Sequence, residues 1–320
     1  MAYLQLIGGL VLLFLGGEAL LRGSVALSKR FGLSTLLVSM VVVGFGTSAP
    51  EFLVSILAAL QGAPSLALGN VVGSNIANIL LILGLSAAIA PVACDDRQIM
   101  RDAIAVFVAT LLLGLLTFLG QISFIFGLML LLSLVGYLTF VYKSERRAQL
   151  SVSKKVAHDV EEDIPAAGLG FTGALLVGLA GLVALAGGAH LLVQGATEIA
   201  LAFGVSEAVI GLTIVAVGTS LPELATALVS AYRGHAGVVL GNVLGSNLFN
   251  MLGVLGATAM AATVPLDGKI AHFDVWVGIG VAAILLLAIR SGKRLSRREG
   301  ILFLALYAGY IYSTLITNGG

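Results

Sequence analysis

Apolar residues run along this chain in long blocks, separated by short polar or glycine-bearing links. About 20 apolar residues are enough for a helix to cross the hydrocarbon of a bilayer. Blocks of that size lie near 3–27, 33–60, 66–90, 103–120, 122–142, 169–197, 206–231, 238–262, 273–290 and 300–317. They predict an all-α polytopic membrane protein with ten transmembrane helices. One long polar link, Lys143 to Pro165, divides the chain into a five-helix unit (1–142), a loop (143–165) and a second five-helix unit (166–320). No basic residue precedes the first block, so it reads as a retained helix and not as a cleaved signal.

Composition agrees with this pattern. Hydrophobic residues make up 59% of the chain and charged residues 10%, against roughly 25% charge in soluble domains. That excludes an ordinary soluble enzyme, and also a disordered chain, which needs low hydrophobicity and high charge. A net charge of +1 leaves no basic footprint for nucleic acid. Cys94 is the single cysteine, so neither an intramolecular disulfide nor a multi-cysteine metal centre can form. With the N-terminus outside, every Lys and Arg except Lys269 falls on the inner side of the ten-helix arrangement. Basic residues concentrate on the cytoplasmic side of membranes. The expectation is a multi-pass cell-membrane protein with both termini outside and the long loop in the cytoplasm.

Two polar segments recur at a constant offset of 172 residues. Gly46-Thr-Ser-Ala-Pro-Glu51 returns as Gly218-Thr-Ser-Leu-Pro-Glu223, and Gly69-Asn-Val-Val-Gly-Ser-Asn-Ile-Ala-Asn78 as Gly241-Asn-Val-Leu-Gly-Ser-Asn-Leu-Phe-Asn250. Phe31-Gly-Leu-Ser34 returns as Phe203-Gly-Val-Ser206 in the same register. Five helices per unit is an odd number, so the second unit enters the membrane from the opposite side. Such inverted-topology repeats build many secondary transporters, with the site near the midplane.

Glu51 and Glu223 stand inside apolar blocks. An intramembrane carboxylate is costly and by default marks a functional site; the alternative is a protonated Glu that only bonds a neighbouring helix. Pro50 and Pro222 cannot donate to the carbonyls of Gly46 and Gly218, so each helix should kink and release backbone oxygens beside the carboxylate. Thr47, Ser48, Thr219 and Ser220 add hydroxyl oxygens, although each could instead bond its own preceding turn. Carboxylate, carbonyl and hydroxyl oxygens are hard ligands suited to Ca²⁺ or Na⁺. Asn70, Ser74 and Asn78 are spaced by four and line one helix side. Asn242, Ser246 and Asn250 repeat this. Of these stripes, Asn78 and Asn250 are assigned to the site. Asn75 and Asn247 point about 100° away from the adjacent serines and are expected to bond other helices.

The doubled GTSxPE and GNxxGSNxxN segments resemble the two alpha-repeats of the calcium/cation antiporter superfamily, and its prokaryotic Na⁺/Ca²⁺ exchanger branch most nearly. The resemblance spans essentially the whole chain. It implies Ca²⁺/Na⁺ antiport by alternating access, with cation ligands from Glu51, Glu223, Thr47, Thr219, Ser48, Ser220, Ser74, Ser246, Asn78 and Asn250. It also implies that the first and sixth spans slide against the remainder. No cofactor is implied beyond the transported ions, and a monomer is expected to suffice. Familiar prokaryotic members carry Asp at the position of Asn250; here both amide positions are Asn, leaving two carboxylates. The H⁺/Ca²⁺ exchangers of the superfamily usually carry Gly-Asn in place of Gly-Thr-Ser before the Glu; that pattern is absent here, and a Ca²⁺/H⁺ or other cation/proton exchanger stands as the alternative reading. An ATP-driven pump is disfavoured because the chain has no GxxxxGK[ST] segment. A channel or non-transporting membrane sensor is the less favoured reading: pores are usually assembled from several subunits around an axis, and a repeat inverted inside one chain argues against that arrangement.

Other polar residues have plainer expectations. Glu18 and Arg22 are placed for an i,i+4 ion pair. His190 is expected to be packed and Cys94 to sit at a helix end. Glu198, Glu207 and Glu161 to Asp163 are expected to be solvated.

Overall fold

The computed structural model describes residues 1–94, 96–152, 169–203 and 218–318. Helices are α1 (Ala2–Phe31), α2 (Thr35–Thr47), α3 (Ala49–Leu60), α4 (Pro64–Ile89), α5 (Arg97–Leu119), α6 (Phe124–Val152), α7 (Phe171–Ala202), α8 (Leu221–Tyr232), α9 (Ala236–Ala261), α10 (Ile270–Ser291) and α11 (Arg297–Asn318). Among the described residues seven of them are long and apolar enough to cross a membrane, and the bent pair α2–α3 makes an eighth. Helices α8 and α11 stand where the seventh and tenth spans were expected. The stretch 204–217, which holds Glu207 and the start of the seventh expected span, lies outside the described residues, as do Glu161 to Asp163. Helix α6 continues through Lys143 to Val152, so the segment read as a loop begins as helix.

Local chemistry sets the boundaries. Gly32 closes α1 in the left-handed region (φ 62°) and returns its N–H to Ser28 O, a termination that glycine makes without Cβ strain. Ser34 then starts α2 by accepting from Leu37 N–H at 3.1 Å. Glu145 of α6, buried, accepts from both the N–H (3.0 Å) and the hydroxyl (2.6 Å) of Ser34. Asp96 caps α5. At α11, Ser296 and Glu299 bond each other's backbone N–H groups, a reciprocal capping box.

Helices α4 and α9 form the centre: 94% of the apolar stretch of α9 is buried and 72% of that of α4, against 28% for α7. Two short antiparallel ladders join the halves. β1 (Val92–Ala93) pairs with the late strand Arg294–Leu295, and β2 (Gln121–Ile122) with Val264–Pro265. Val92 and Val264 are themselves related by the 172-residue offset.

Helices α1 and α7 pack antiparallel along a stripe of small residues spaced by seven: Ala2, Gly9, Gly16 and Gly23 against Gly195, Gly188, Gly181 and Ala174. A Cβ on Gly9 would meet Gly188 O at 2.8 Å, and one on Gly181 would meet Gly16 O at 2.9 Å. Small residues permit this backbone approach where lipid supplies no hydrophobic drive. A heptad of small residues was readable in the sequence, but the search for apolar blocks passes over it.

Two further polar pairs were also missed. Tyr137 of α6 donates to the buried Asp102 of α5, and Tyr310 of α11 to Asp274 of α10 at 3.0 Å. The two aspartates are again 172 residues apart. Glu18 pairs with Arg22 at 2.8 Å as expected, and also with Arg233, beyond α8, at 3.1 Å. The Cys94 thiol is buried and donates to Val92 O at 3.2 Å. Glu198 is exposed.

Candidate cation site

The proline of each GTSxPE segment breaks its helix. Helix α2 stops at Thr47, the chain passes through Ser48 (φ −81°, ψ 6°), and α3 restarts with Pro50 in its first turn after a bend of 45°. Ser220 has nearly the same backbone (φ −89°, ψ 6°), with Pro222 in the first turn of α8. Proline is tolerated there because the first-turn N–H groups have no helical partner. Glu51 and Glu223 consequently occupy the first turns of α3 and α8, where free N–H groups and the helix dipole favour negative charge.

The two breaks face each other. Ser48 donates to Glu223 Oε1 at 2.9 Å, and Ser220 donates to Glu51 Oε1 at 3.1 Å. Both carboxylates are 1% exposed, and the second oxygen of each, Oε2, has no hydrogen-bond partner. Buried polar atoms are almost always paired, so two such carboxylate oxygens mark a place for a positive group.

Helices α4 and α9 bring the amides. Asn78 and Asn250 are fully buried, and their Oδ1 atoms are likewise without partners. Their Nδ2 atoms are engaged: Asn78 donates to Asn247 Oδ1 at 2.9 Å, and Asn250 to Asn75 Oδ1 at 3.1 Å. Wide π-type turns begin at Asn78 and at Phe249. Such insertions are frequent at functional sites.

The other predicted residues are placed as follows. The Thr47 hydroxyl bonds Val43 O at 2.9 Å and Asn242 Oδ1 at 3.2 Å. Ser246 donates to Gly44 O at 3.3 Å, and Ser74 is buried on α4. Thr219 is half-buried beside the second break. Asn70 and Asn242, placed on the polar stripes by their spacing, bind the main chain of the two glutamates and not their carboxylates. They donate to the backbone oxygens of Glu51 (3.2 Å) and Glu223 (3.0 Å) and so brace the broken helices. Their presence in the doubled motif was the available signal.

A cavity of about 800 Å³ adjoins the breaks, lined by Thr47, Pro50, Thr219 and Pro222 and by α7 residues including His190. His190 is exposed, which corrects the expectation of a packed histidine: its face of α7 is turned to the cavity. Among the described residues no cluster of three or more His, Cys, Asp or Glu could hold a metal ion.

This geometry and sequence have counterparts. The chain is 36% identical to CaxA of Alkalimonas amylolytica, a protein named as an antiporter, over 95% of each chain. It is 27% identical to the sodium/calcium exchanger MaX1 of Methanosarcina acetivorans, over 97% of each. A solved structure of the sodium-calcium exchanger NCX_Mj, soaked with zero Na⁺ and Ca²⁺, superposes with a TM-score of 0.84 at 32% identity, covering 98% of both chains. These relatives are transporters and not enzymes. The family described as "Sodium/calcium exchanger protein" matches residues 1–143 and 173–316, and the chain belongs to it.

Proposed function

We propose that this protein is a secondary active antiporter that exchanges Ca²⁺ for Na⁺ by alternating access. The observation that carries this is that four buried oxygens of the doubled motifs, Glu51 Oε2, Glu223 Oε2, Asn78 Oδ1 and Asn250 Oδ1, have no hydrogen-bond partner. Hard cations take oxygen ligands of this mixed kind. Two carboxylates balance the charge of one Ca²⁺, and in a low-dielectric interior a buried charge must be balanced to be tolerated. Thr47, Thr219, Ser48, Ser220, Ser74 and Ser246 complete the proposed ligand set through hydroxyl or nearby backbone oxygens.

In this reading ten spans form two inverted five-helix units, 1–142 and 166–320. The termini lie outside, residues 143–165 lie in the cytoplasm of a cell-membrane protein, and a monomer suffices. Bonding of each carboxylate by the serine of the other unit supports a site at the repeat interface. Radiolabelled Ca²⁺ uptake into proteoliposomes tests the function. Uptake driven by an outward Na⁺ gradient and not by a proton gradient is expected; uptake driven only by protons would replace the Na⁺ assignment.

A further inference from the structure

We infer that Asn75 and Asn247, whose hydrogen bonds run to each other's backbone and to the two ligand amides, are positioning residues that set the polarity of the Asn78 and Asn250 amides, each unit orienting a ligand of the other. The inference rests on the cation-site reading above and assigns these two asparagines a task within it.

An amide side chain has an acceptor end and a donor end. Rotated by half a turn, Asn78 would present an NH₂ to the cation and repel it. Something must hold each amide the right way round, and the cation is absent for part of every transport cycle. The structure supplies this from main-chain atoms. Asn75 Nδ2 donates to the backbone oxygen of Asn247 at 3.0 Å, and Asn247 Nδ2 to the backbone oxygen of Asn75 at 3.4 Å. A backbone carbonyl can only accept, so each of these amides has its NH₂ end fixed. The Oδ1 of Asn247 is thereby turned to Asn78, from whose Nδ2 it accepts at 2.9 Å, and the Oδ1 of Asn75 accepts from Asn250 Nδ2 at 3.1 Å. With both donor ends engaged in this way, the Oδ1 atoms of Asn78 and Asn250 are left unpartnered, as are the Oε2 atoms of the two carboxylates. Reversing Asn247 alone would set NH₂ against NH₂ and oxygen against oxygen, in a place where all four residues are buried and unmade hydrogen bonds are costly. Each relay therefore begins at a carbonyl of one unit, passes through the asparagine of the other and returns to a ligand of the first.

The test measures equilibrium Ca²⁺ binding to the purified full-length protein, so that it does not depend on transport. Asn247→Leu keeps the volume and removes the acceptor; Ca²⁺ affinity should fall by roughly 10- to 100-fold, the range for a lost orienting partner. Adding Asn78→Asp should restore much of the affinity, because a carboxylate has no donor end to misdirect. The same Asn78→Asp change in the native chain should gain less, since it sets a carboxylate against Asn247 Oδ1. The reciprocal pair, Asn75→Leu with Asn250→Asp, should behave alike and serves if Asn247→Leu does not fold. Unchanged affinity in a folded leucine variant, or an equal gain from the aspartate in both backgrounds, would overturn the inference and leave the asparagines as interhelical contacts. Native protein that binds Ca²⁺ without exchanging it for Na⁺ would defeat the exchanger reading alone, and the affinity series would still decide this one.

Discussion

Ser48 and Glu223 lie 175 residues apart in the chain and 2.9 Å apart in the fold, joined by a hydrogen bond from the serine hydroxyl to the carboxylate. Ser220 and Glu51 form the matching bond at 3.1 Å. Each helix break thus steadies the carboxylate carried by the other, and neither unit holds its own Glu alone.

Replacing either carboxylate should abolish transport. Glu51→Gln and Glu223→Gln keep the volume and remove the charge. Breaking a buried ion pair costs about 3–5 kcal/mol, so Ca²⁺ affinity should fall at least ~100-fold while the protein remains folded. Sustained Na⁺-driven Ca²⁺ flux in either variant would remove that residue from the site.

The crossed serine bonds predict a specific non-additivity. A hydrogen bond to a charged group is worth about 1.5–3 kcal/mol, so Ser48→Ala should raise the Ca²⁺ half-saturation value by roughly 10- to 100-fold. In a Glu223→Gln background the same change should have a much smaller effect on Ca²⁺ binding. In a Glu51→Gln background it should keep most of its effect. A double-mutant cycle on binding reads the difference.

Two neighbouring glycines of α1 should respond oppositely to the same change. A Cβ on Gly9 would come within 2.7–2.9 Å of α7, whereas one on Gly8 meets nothing within 4 Å. Gly9→Ala should lower stability by about 1–3 kcal/mol, the cost of overpacking, and Gly8→Ala should be neutral or slightly stabilising because alanine is the better helix former. Thermal unfolding in detergent compares them; equal melting temperatures would contradict the close α1–α7 contact.

Sidedness can be read by cysteine labelling. In a Cys94→Ala background, Gln61→Cys should react with a membrane-impermeant thiol reagent from outside intact cells. Arg147→Cys should react only after the inner face is exposed. Both native side chains are exposed in the fold. Reaction of both from one side would exclude the proposed orientation.

Glu18 offers a smaller, electrostatic test. It joins Arg22 on its own helix and Arg233 beyond α8, with both arginines about half exposed. Exposed pairs of this kind contribute about 0.2–1 kcal/mol, so Arg233→Gln should cost no more than that. The loss should shrink as salt is raised.

Much of this protein is determined by the sequence alone. Apolar blocks of membrane-crossing length mark the helices, because the bilayer sets a length that composition must match. The 172-residue recurrence marks Glu51 and Glu223, their serines and their prolines as a duplicated unit, because the same local chemistry is needed twice. Pro50 and Pro222 foretell the breaks, because a missing N–H acts within one helical turn. What only the tertiary structure decided are relations between residues far apart in the chain. Sequence spacing placed Asn70 on a polar stripe without naming its partner, and packing joins it to the Glu51 backbone. It gave Glu18 one partner and the fold supplied Arg233 as a second. It put His190 in a packed interior, and the fold opens a cavity beside it. Helical periodicity says which residues share a face of one helix. Which atom of a second helix meets that face depends on how closely the backbones approach, and here glycines such as Gly9, Gly16 and Gly245 set that distance. The direction in which each buried amide oxygen points follows from those contacts.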